Sequence, residues 1–167
     1  ARVARWKTVV GMSGFKVGVS WKGSGAIKGR SIPISLVQTL AEIPGVRLIS
    51  LQKDVCPSEL SKTNKIEILG NELDAEGAFL DTAAVIRCCD LVISNDTSIA
   101  HLAGALGART WIALPFVPDW RWLMGRSDSP WYPSVRLYRQ KRIGDWSSVF
   151  EVISLELRRL LESATQA

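Results

Sequence analysis

The sequence predicts an α/β fold: a doubly wound, mostly parallel sheet with helices on both faces. Short apolar runs (KVGVSW, VRLISL, LVIS and TWIAL) recur along the chain with helical stretches between them, the pattern of βαβ units. The runs are rich in Val, Ile and Leu, as strands must be when both faces of the sheet are covered. The size agrees. The 167 residues, 47% hydrophobic and 22% charged, make one domain with ample apolar material for a core. That balance excludes intrinsic disorder. No run of about 18 apolar residues occurs, which excludes a membrane-spanning helix.

The elements follow in order. Lys16–Trp21 is the first strand. Ile34–Ile43 reads as a helix, with Ser31 as its cap, Pro33 near the first turn and Gly45 beyond the end. Val46–Leu51 is the second strand and Ile66–Leu69 a short third. Asp81 reads as the N-cap of an apolar helix, Thr82–Cys89. Leu91–Ser94 is a strand, and Thr97–Leu106 a helix closed by Gly107. Thr110–Leu114 and Val135–Tyr138 are the last strands, and Trp146–Leu161 an amphipathic closing helix.

The net charge of +5 is unevenly placed. Residues 2–30 carry Arg2, Arg5, Lys7, Lys16, Lys22, Lys28 and Arg30 and no acid, and Arg136, Arg139, Lys141 and Arg142 form a second cluster. Such clusters suit anionic partners or are solvated surface. Nucleic acid is disfavoured, because no recognition motif is present. Cys56, Cys88 and Cys89 are odd in number and lack zinc-ligand spacing, and His101 is the single histidine. No disulfide framework or metal site is expected, and the location expected is a reducing, cytoplasmic one. The adjacent Cys88–Cys89 pair reads as core. The chain does not begin with Met and reads as a piece of a longer protein.

In doubly wound sheets ligands bind beyond the carboxyl ends of the strands. Three loops lie there. The first, Trp21-Lys22-Gly23-Ser24-Gly25-Ala26-Ile27-Lys28-Gly29-Arg30-Ser31, joins three glycines to three cations. Its glycines let backbone N–H groups approach an anion, although the spacing is neither a Walker loop nor a dinucleotide fingerprint. A solvated surface loop is the alternative. The second, Ser94-Asn95-Asp96-Thr97-Ser98-Ile99-Ala100-His101, passes at once from strand to helix. Asp96 or Thr97 could cap that helix and leave donors at Thr97–Ile99 for an anion, or the carboxylate is a cap and nothing more. The third runs from Pro115 through Asp119, Trp120, Arg121 and Trp122 and on to Ser129-Pro130-Trp131-Tyr132-Pro133. Its aromatics could stack on a base or sugar, or plug the loop onto the sheet, the reading that Trp131 favours. Glu67, Glu72, Asp74, Glu76 and Asp81 read as a solvated acidic loop rather than a catalytic carboxylate pair. No Ser-His-Asp set or nucleophile elbow occurs.

The stretch DLVISNDTSIAHLAGALG, Asp90–Gly107, resembles the nucleotide-sugar-binding segment of bacterial heptosyltransferases. Continued through LPFVPDWRWL and SDSPWYP, it is similar to the glycosyltransferase domain that follows tetratricopeptide repeats in many bacterial proteins, and more distantly to O-GlcNAc transferase. The resemblance implies one half of a GT-B fold, a Rossmann-like C-terminal domain that binds the nucleotide sugar. Residues 1–15 then form a linker or interdomain helix, 16–162 the donor-binding domain and 163–167 a tail. It implies donor contacts at Asp96, Thr97, Ser98, Ile99 and His101, with Ser98 in place of the heptosyltransferase glycine. Lys22 and Lys28 compete for the lysine that neutralises the diphosphate, beside Gly23, Ser24 and Arg30. Pro115, Asp119 and Trp120 complete the expected donor set.

No Asp-x-Asp metal motif is present, so a reaction without metal or cofactor is expected, with a nucleoside-diphosphate sugar as substrate. The catalytic base is expected in an absent N-terminal acceptor domain, with or without tetratricopeptide repeats, so no catalytic residue is assigned and this chain alone should be silent. The alternative is a non-catalytic module that binds a nucleotide or phosphosugar. Base, sugar, acceptor and oligomeric state stay open, as does peripheral membrane association.

Overall fold

The computed structural model describes residues 1–23, 29–53, 55 and 64–165. Helix α1 (Arg2–Val10) leads into β1 (Phe15–Ser20), α2 (Ile34–Thr39), β2 (Val46–Ser50) and β3 (Ile66–Glu67). Then come α3 (Leu80–Ile86), β4 (Leu91–Asn95), α4 (Ser98–Ala105), β5 (Thr110–Leu114), β6 (Val135–Arg139) and α5 (Trp146–Thr165). The strands form one sheet in the order β3-β2-β1-β4-β5-β6, and every neighbouring pair is parallel. This is the doubly wound, Rossmann-like arrangement. The winding reverses between β1 and β4, where Val17 pairs with Leu48 on one side and Leu91 on the other.

Period-2 alternation divides the core. Val17, Val19, Leu48, Leu91 and Ile93 face Val37 and Leu40 at α2 and Val149, Phe150, Ile153 and Leu157 of α5. Ile49, Leu51 and Val92 face Trp6 of α1, Val85 and Ile86 of α3, and Ile99 and Ala103 of α4. Ala100, Ile112, Leu114, Trp122, Val135 and Leu137 form a third cluster. Burying each Val, Leu, Ile or Phe among these stabilises the fold by about 1.5–3 kcal/mol.

Several element ends differ from expectation. The helix expected over 34–43 is α-helical only to Thr39 and tightens into a 3₁₀ turn, Leu40–Glu42. Pro44 disfavours helical backbone at Ile43, which is extended (φ −78°, ψ 122°). Ser31 is not its cap: Pro33 holds that position, and Ser31 Oγ accepts from the Gly23 N–H at 3.1 Å. The third strand is only Ile66–Glu67, and the fourth runs on to Asn95. α3 stops at Ile86, after which the Cys88 and Cys89 N–H groups close i→i−3 bonds to Val85 and Ile86. Cys88 is buried, as expected, and burial pushes the Cys89 thiol up to about 12.

Asp81 is not an N-cap. Phe79 holds that position in the left-handed region (φ 64°), as does Asp74 (φ 56°). The cap comes from Asp74, whose Oδ1 accepts from the N–H groups of Asp81 (2.7 Å) and Thr82 (3.0 Å) and whose Oδ2 accepts from Thr82 Oγ1 (2.5 Å). Asp81 instead ties α1 down. Its Oδ1 accepts from Trp6 Nε1 and Arg2 Nη1, both at 2.8 Å, and its Oδ2 from the Asp74 N–H at 3.1 Å. The acidic loop is therefore not uniformly solvated: Asp74 and Asp81 are buried, while Glu67, Glu72 and Glu76 are surface partners of Arg47, Arg5 and Arg2. Much of the basic N-terminal cluster is thus neutralised internally, with Lys16 held by Asp90.

Candidate functional site

β4 ends in two polar residues, Ser94 and Asn95, with Asp96 just beyond, because this end of the strand meets the loop from β1. Asn95 is fully buried, and its Nδ2 donates to the carbonyls of Trp21 (3.3 Å) and Arg30 (3.1 Å). Asp96, also buried, accepts from Arg30 Nη2 at 3.2 Å. The Ile32 N–H donates to the Trp21 carbonyl and the Lys22 N–H to Gln52 Oε1. Both ends of the loop are pinned to the sheet, and Arg30 is held close by. Gly23 sits under Arg30, where a Cβ would lie 3.1 Å from Arg30 Cδ. Ser24 and Lys28 lie outside the described residues.

The Asp96–Arg30 pair leaves the cap of α4 to Thr97, which is extended (φ −142°, ψ 176°) and makes no side-chain cap bond. Its hydroxyl turns back to β4, 3.3 Å from Ser94 Oγ. The N–H groups of Ser98 and Ile99 have no partner among the described residues. A helix start with free donors and a positive dipole end has the chemistry to accept an anion.

A cavity of about 450 Å³ opens onto that helix start, lined by Thr97, Ser98 and Ile99 of α4 and by Ser20, Lys22 and Arg30 from the β1 side. It lies at the carboxyl ends of β1 and β2, beside the reversal of winding, where doubly wound sheets bind ligands. Leu51, Gln52 and Lys53 after β2 form its floor, and Asp74, Ala78, Phe79 and Thr82 its far wall. Lys53 Nζ donates to the Asp74 carbonyl at 3.2 Å, joining floor and wall. Phe79 is 42% exposed in its left-handed backbone, an unusual placement for an aromatic and one often found at functional sites.

Of the residues named from sequence, Lys22, Arg30, Thr97, Ser98 and Ile99 meet here, with Asp96 just behind. His101, Pro115, Asp119 and Trp120 do not line this cavity. His101 and Trp120 belong to a second one, about 310 Å³, formed with Arg121, Trp131 and Tyr132. Burial is the main influence on His101 and holds its pKa below the ordinary value, so the imidazole is neutral at pH 7. It stacks on Trp122 (centroids 5.1 Å apart, 20° between planes), and its Nδ1 lies 3.1 Å from the Tyr132 hydroxyl. Asp119 caps the 3₁₀ turn Trp120–Trp122 through the Arg121 N–H and pairs with the Arg121 guanidinium. Trp122 is a buried plug, whereas Trp120 and Trp131 are 70% and 56% exposed, so Trp131 is not the plug its sequence context favours.

Gln52, Lys53, Asp74, Phe79 and Thr82 also line the cavity, although no motif marks them as donor contacts. Gln52 and Lys53 had a usable signal, their place just past the carboxyl end of β2. The others are brought in by the Asp74 cap.

Gly104 is where α4 meets Tyr132: an added Cβ would sit 2.6 Å from the Tyr132 ring. Gly104→Ala is expected to cost about 1–3 kcal/mol by overpacking and to shift Tyr132 off His101. A melting curve and the His101 ring signals in an NMR spectrum check this.

Residues 51–114 match the model of glycosyltransferase family 9 (heptosyltransferase). The family 9 segment runs from the floor of the larger cavity through the start of α4 to the end of β5. The protein FlbA of Caulobacter vibrioides is 32% identical over 167 residues, 95% of this chain and 28% of that protein. The chain thus spans little more than a quarter of that relative. Among solved structures, the E. coli ADP-heptose LPS heptosyltransferase II superposes with a TM-score of 0.64 at 15% identity, covering 97% of this chain and 52% of that one. The E. coli heptosyltransferase WaaC with ADP-2-deoxy-2-fluoro heptose gives 0.61 at 16% identity, over 92% and 47%. The fold is that of one half of these GT-B enzymes. Among the described residues no cluster of His, Cys, Asp or Glu could hold a metal ion, and no helix is long and apolar enough to cross a membrane.

Proposed function

We propose that the chain is the nucleotide-sugar donor-binding half of a glycosyltransferase, residues 16–162, preceded by a linker helix. The observation that carries this reading is the pair of free N–H groups at Ser98 and Ile99, opening with Arg30 and Lys22 onto a cavity at the reversal of the sheet. The family 9 match across that segment and the heptosyltransferase-like fold support it.

A diphosphate oxygen seated on the start of α4 would accept from both N–H groups. The Arg30 guanidinium, aligned by Asp96, and the Lys22 ammonium would offset its charge. When the glycosidic bond to the diphosphate breaks, negative charge grows on the leaving phosphate, and fixed donors stabilise it without reorganising. Contacts that strengthen as charge develops raise turnover as well as affinity. Phe79, on the opposite wall, offers a face for the base or ribose. The base that deprotonates the acceptor is assigned to a separate N-terminal domain, so the chain alone binds donor without transferring sugar.

Calorimetric titration with UDP, GDP and ADP sugars tests this. One nucleotide class should bind, and Arg30→Ala should weaken it roughly tenfold or more, the loss of one charge-assisted contact of about 1.5–3 kcal/mol. Sugar transfer should appear only when the chain is tested within its longer parent protein. Binding there without transfer would favour the non-catalytic module. Absence of binding to all three classes would contradict the proposal.

A further inference from the structure

The second basic cluster, Arg136, Arg139, Lys141 and Arg142, takes no part in the donor cavity. Two of its members are engaged. Arg136 Nη1 pairs with Glu156 at 3.0 Å, and Arg139 Nη2 donates to the Leu123 carbonyl at 2.8 Å. The side chains of Lys141 and Arg142 form no hydrogen bond or ion pair among the described residues. Both stand in the exposed turn between β6 and α5, beside Ile143, which is 84% exposed.

Ile143 has apolar company. Val117 and Met124 are each 75% exposed, and Phe116 and Leu123 are exposed as well. These five residues come from three separate turns, and the end of β6 ties the turns together. The buried Gln140 accepts at Oε1 from the Phe116 N–H (3.2 Å) and the Gly144 N–H (3.0 Å), stapling the loop after β5 to the turn after β6. Arg139 holds the remaining turn through the Leu123 carbonyl, where Leu123 sits in left-handed backbone (φ 52°). None of the five lines either cavity described above.

Neighbouring exposed apolar groups mark a contact surface. A protein partner is met by apolar groups packed into one patch, whereas these stand at the tips of turns with unpaired cations beside them. An interfacial anchor has that arrangement: apolar side chains enter the acyl boundary while Lys and Arg stay among anionic headgroups. The acids of these turns do not oppose it. Asp119 is paired with Arg121 and Asp128 with Arg126, and the Asp145 carboxylate accepts from the Ser148 N–H (3.1 Å) and hydroxyl (2.8 Å).

We propose that this tip, at the carboxyl ends of β5 and β6, docks the protein on an anionic lipid surface: Ile143, Met124 and Val117 enter the bilayer boundary while Lys141 and Arg142 meet the headgroup phosphates. The docking surface does not depend on the glycosyltransferase reading, because it uses none of the donor residues.

The test is flotation of the 167-residue chain with vesicles of mixed phosphatidylcholine and phosphatidylglycerol, and with vesicles of phosphatidylcholine alone. The chain should float with the mixed vesicles, not with phosphatidylcholine alone, and added salt should release it. Each cation near an anionic surface is worth roughly fivefold in partition, so Lys141→Glu with Arg142→Glu should cut binding by roughly twentyfold or more. Ile143→Glu should cut it by roughly tenfold or more, and Met124→Glu repeats that test from a different turn. All these positions are exposed and lie outside the donor cavity, so the melting temperature and nucleoside diphosphate affinity should stay those of wild type. Absence of binding to the mixed vesicles overturns the proposal, as does binding that Ile143→Glu and Met124→Glu leave unchanged. A longer parent protein that shields Ile143 and Met124 within itself and fails to float makes the tip an interdomain contact, and the lipid assignment falls. Nucleotide titration of the same samples shows separately whether the donor reading holds.

Discussion

Replacing Ser98 by glutamate is expected to abolish nucleoside diphosphate binding. Ser98 opens α4, and its N–H and that of Ile99 are the free donors of the cavity. A glutamate carboxylate there takes the position proposed for a phosphate oxygen and repels it. Two unit charges about 4 Å apart interact by about 4 kcal/mol at the effective dielectric of a protein surface, so the loss should exceed about a hundredfold. The fold should be unharmed, because an acidic residue in the first turn suits the helix dipole. Ser98→Ala keeps both N–H groups and should bind within about threefold of wild type if the backbone carries the contact. Calorimetry on the two variants decides. Wild-type binding by Ser98→Glu would place the nucleotide elsewhere.

The largest stability effect is expected at Asp81. Removing its carboxylate leaves the Trp6 indole N–H and the Asp74 N–H without acceptors in a buried place and frees Arg2 from its inner partner. Each orphaned buried group costs about 1–3 kcal/mol, so Asp81→Ala should lose about 3 kcal/mol or more. In a chain of this size that lowers the melting temperature by roughly 6–12 °C. The same network makes stability depend on pH. The Trp6 N–H first, and Arg2 next, hold the Asp81 carboxyl below its ordinary 3.8. A depressed folded-state pKa stabilises above the unfolded value, and that contribution is lost as pH falls through the folded one. Wild type should therefore lose stability steeply below pH about 4, and Asp81→Asn should show a shallower acid limb. Parallel limbs in the two proteins would contradict this.

The parallel sheet was legible because its strands are runs of Val, Ile and Leu, as burial on both faces requires, with helical stretches between them; the strand order was not. The mouth at α4 was legible for a related reason: LVIS ends a strand and the helical period starts at once, so polar residues between them must lie at a carboxyl end. Ser31 and Asp81 stand close to helix starts in sequence, the usual mark of a cap, yet neither caps one. At α3 the free N–H groups are satisfied from further back along the chain, by Asp74, once Phe79 enters the left-handed region, and α2 starts at Pro33 with no side-chain cap. The three tryptophans of the third loop could not be sorted from sequence. Trp120 and Trp122 stand two residues apart in one turn, and only the packing of Trp122 under Ala100 and Leu137, with His101 stacked on it, decides which is buried. Gln52 and Lys53 follow a strand end as clearly as Asp96 does but carry no motif.

The most direct measurement is a ¹H–¹⁵N NMR titration of the chain with nucleoside diphosphates. The account predicts that the amide signals of Ser98 and Ile99 shift most, with those of Lys22 and Gln52 following. Shifts confined to other surfaces, or none at millimolar nucleotide, would contradict it.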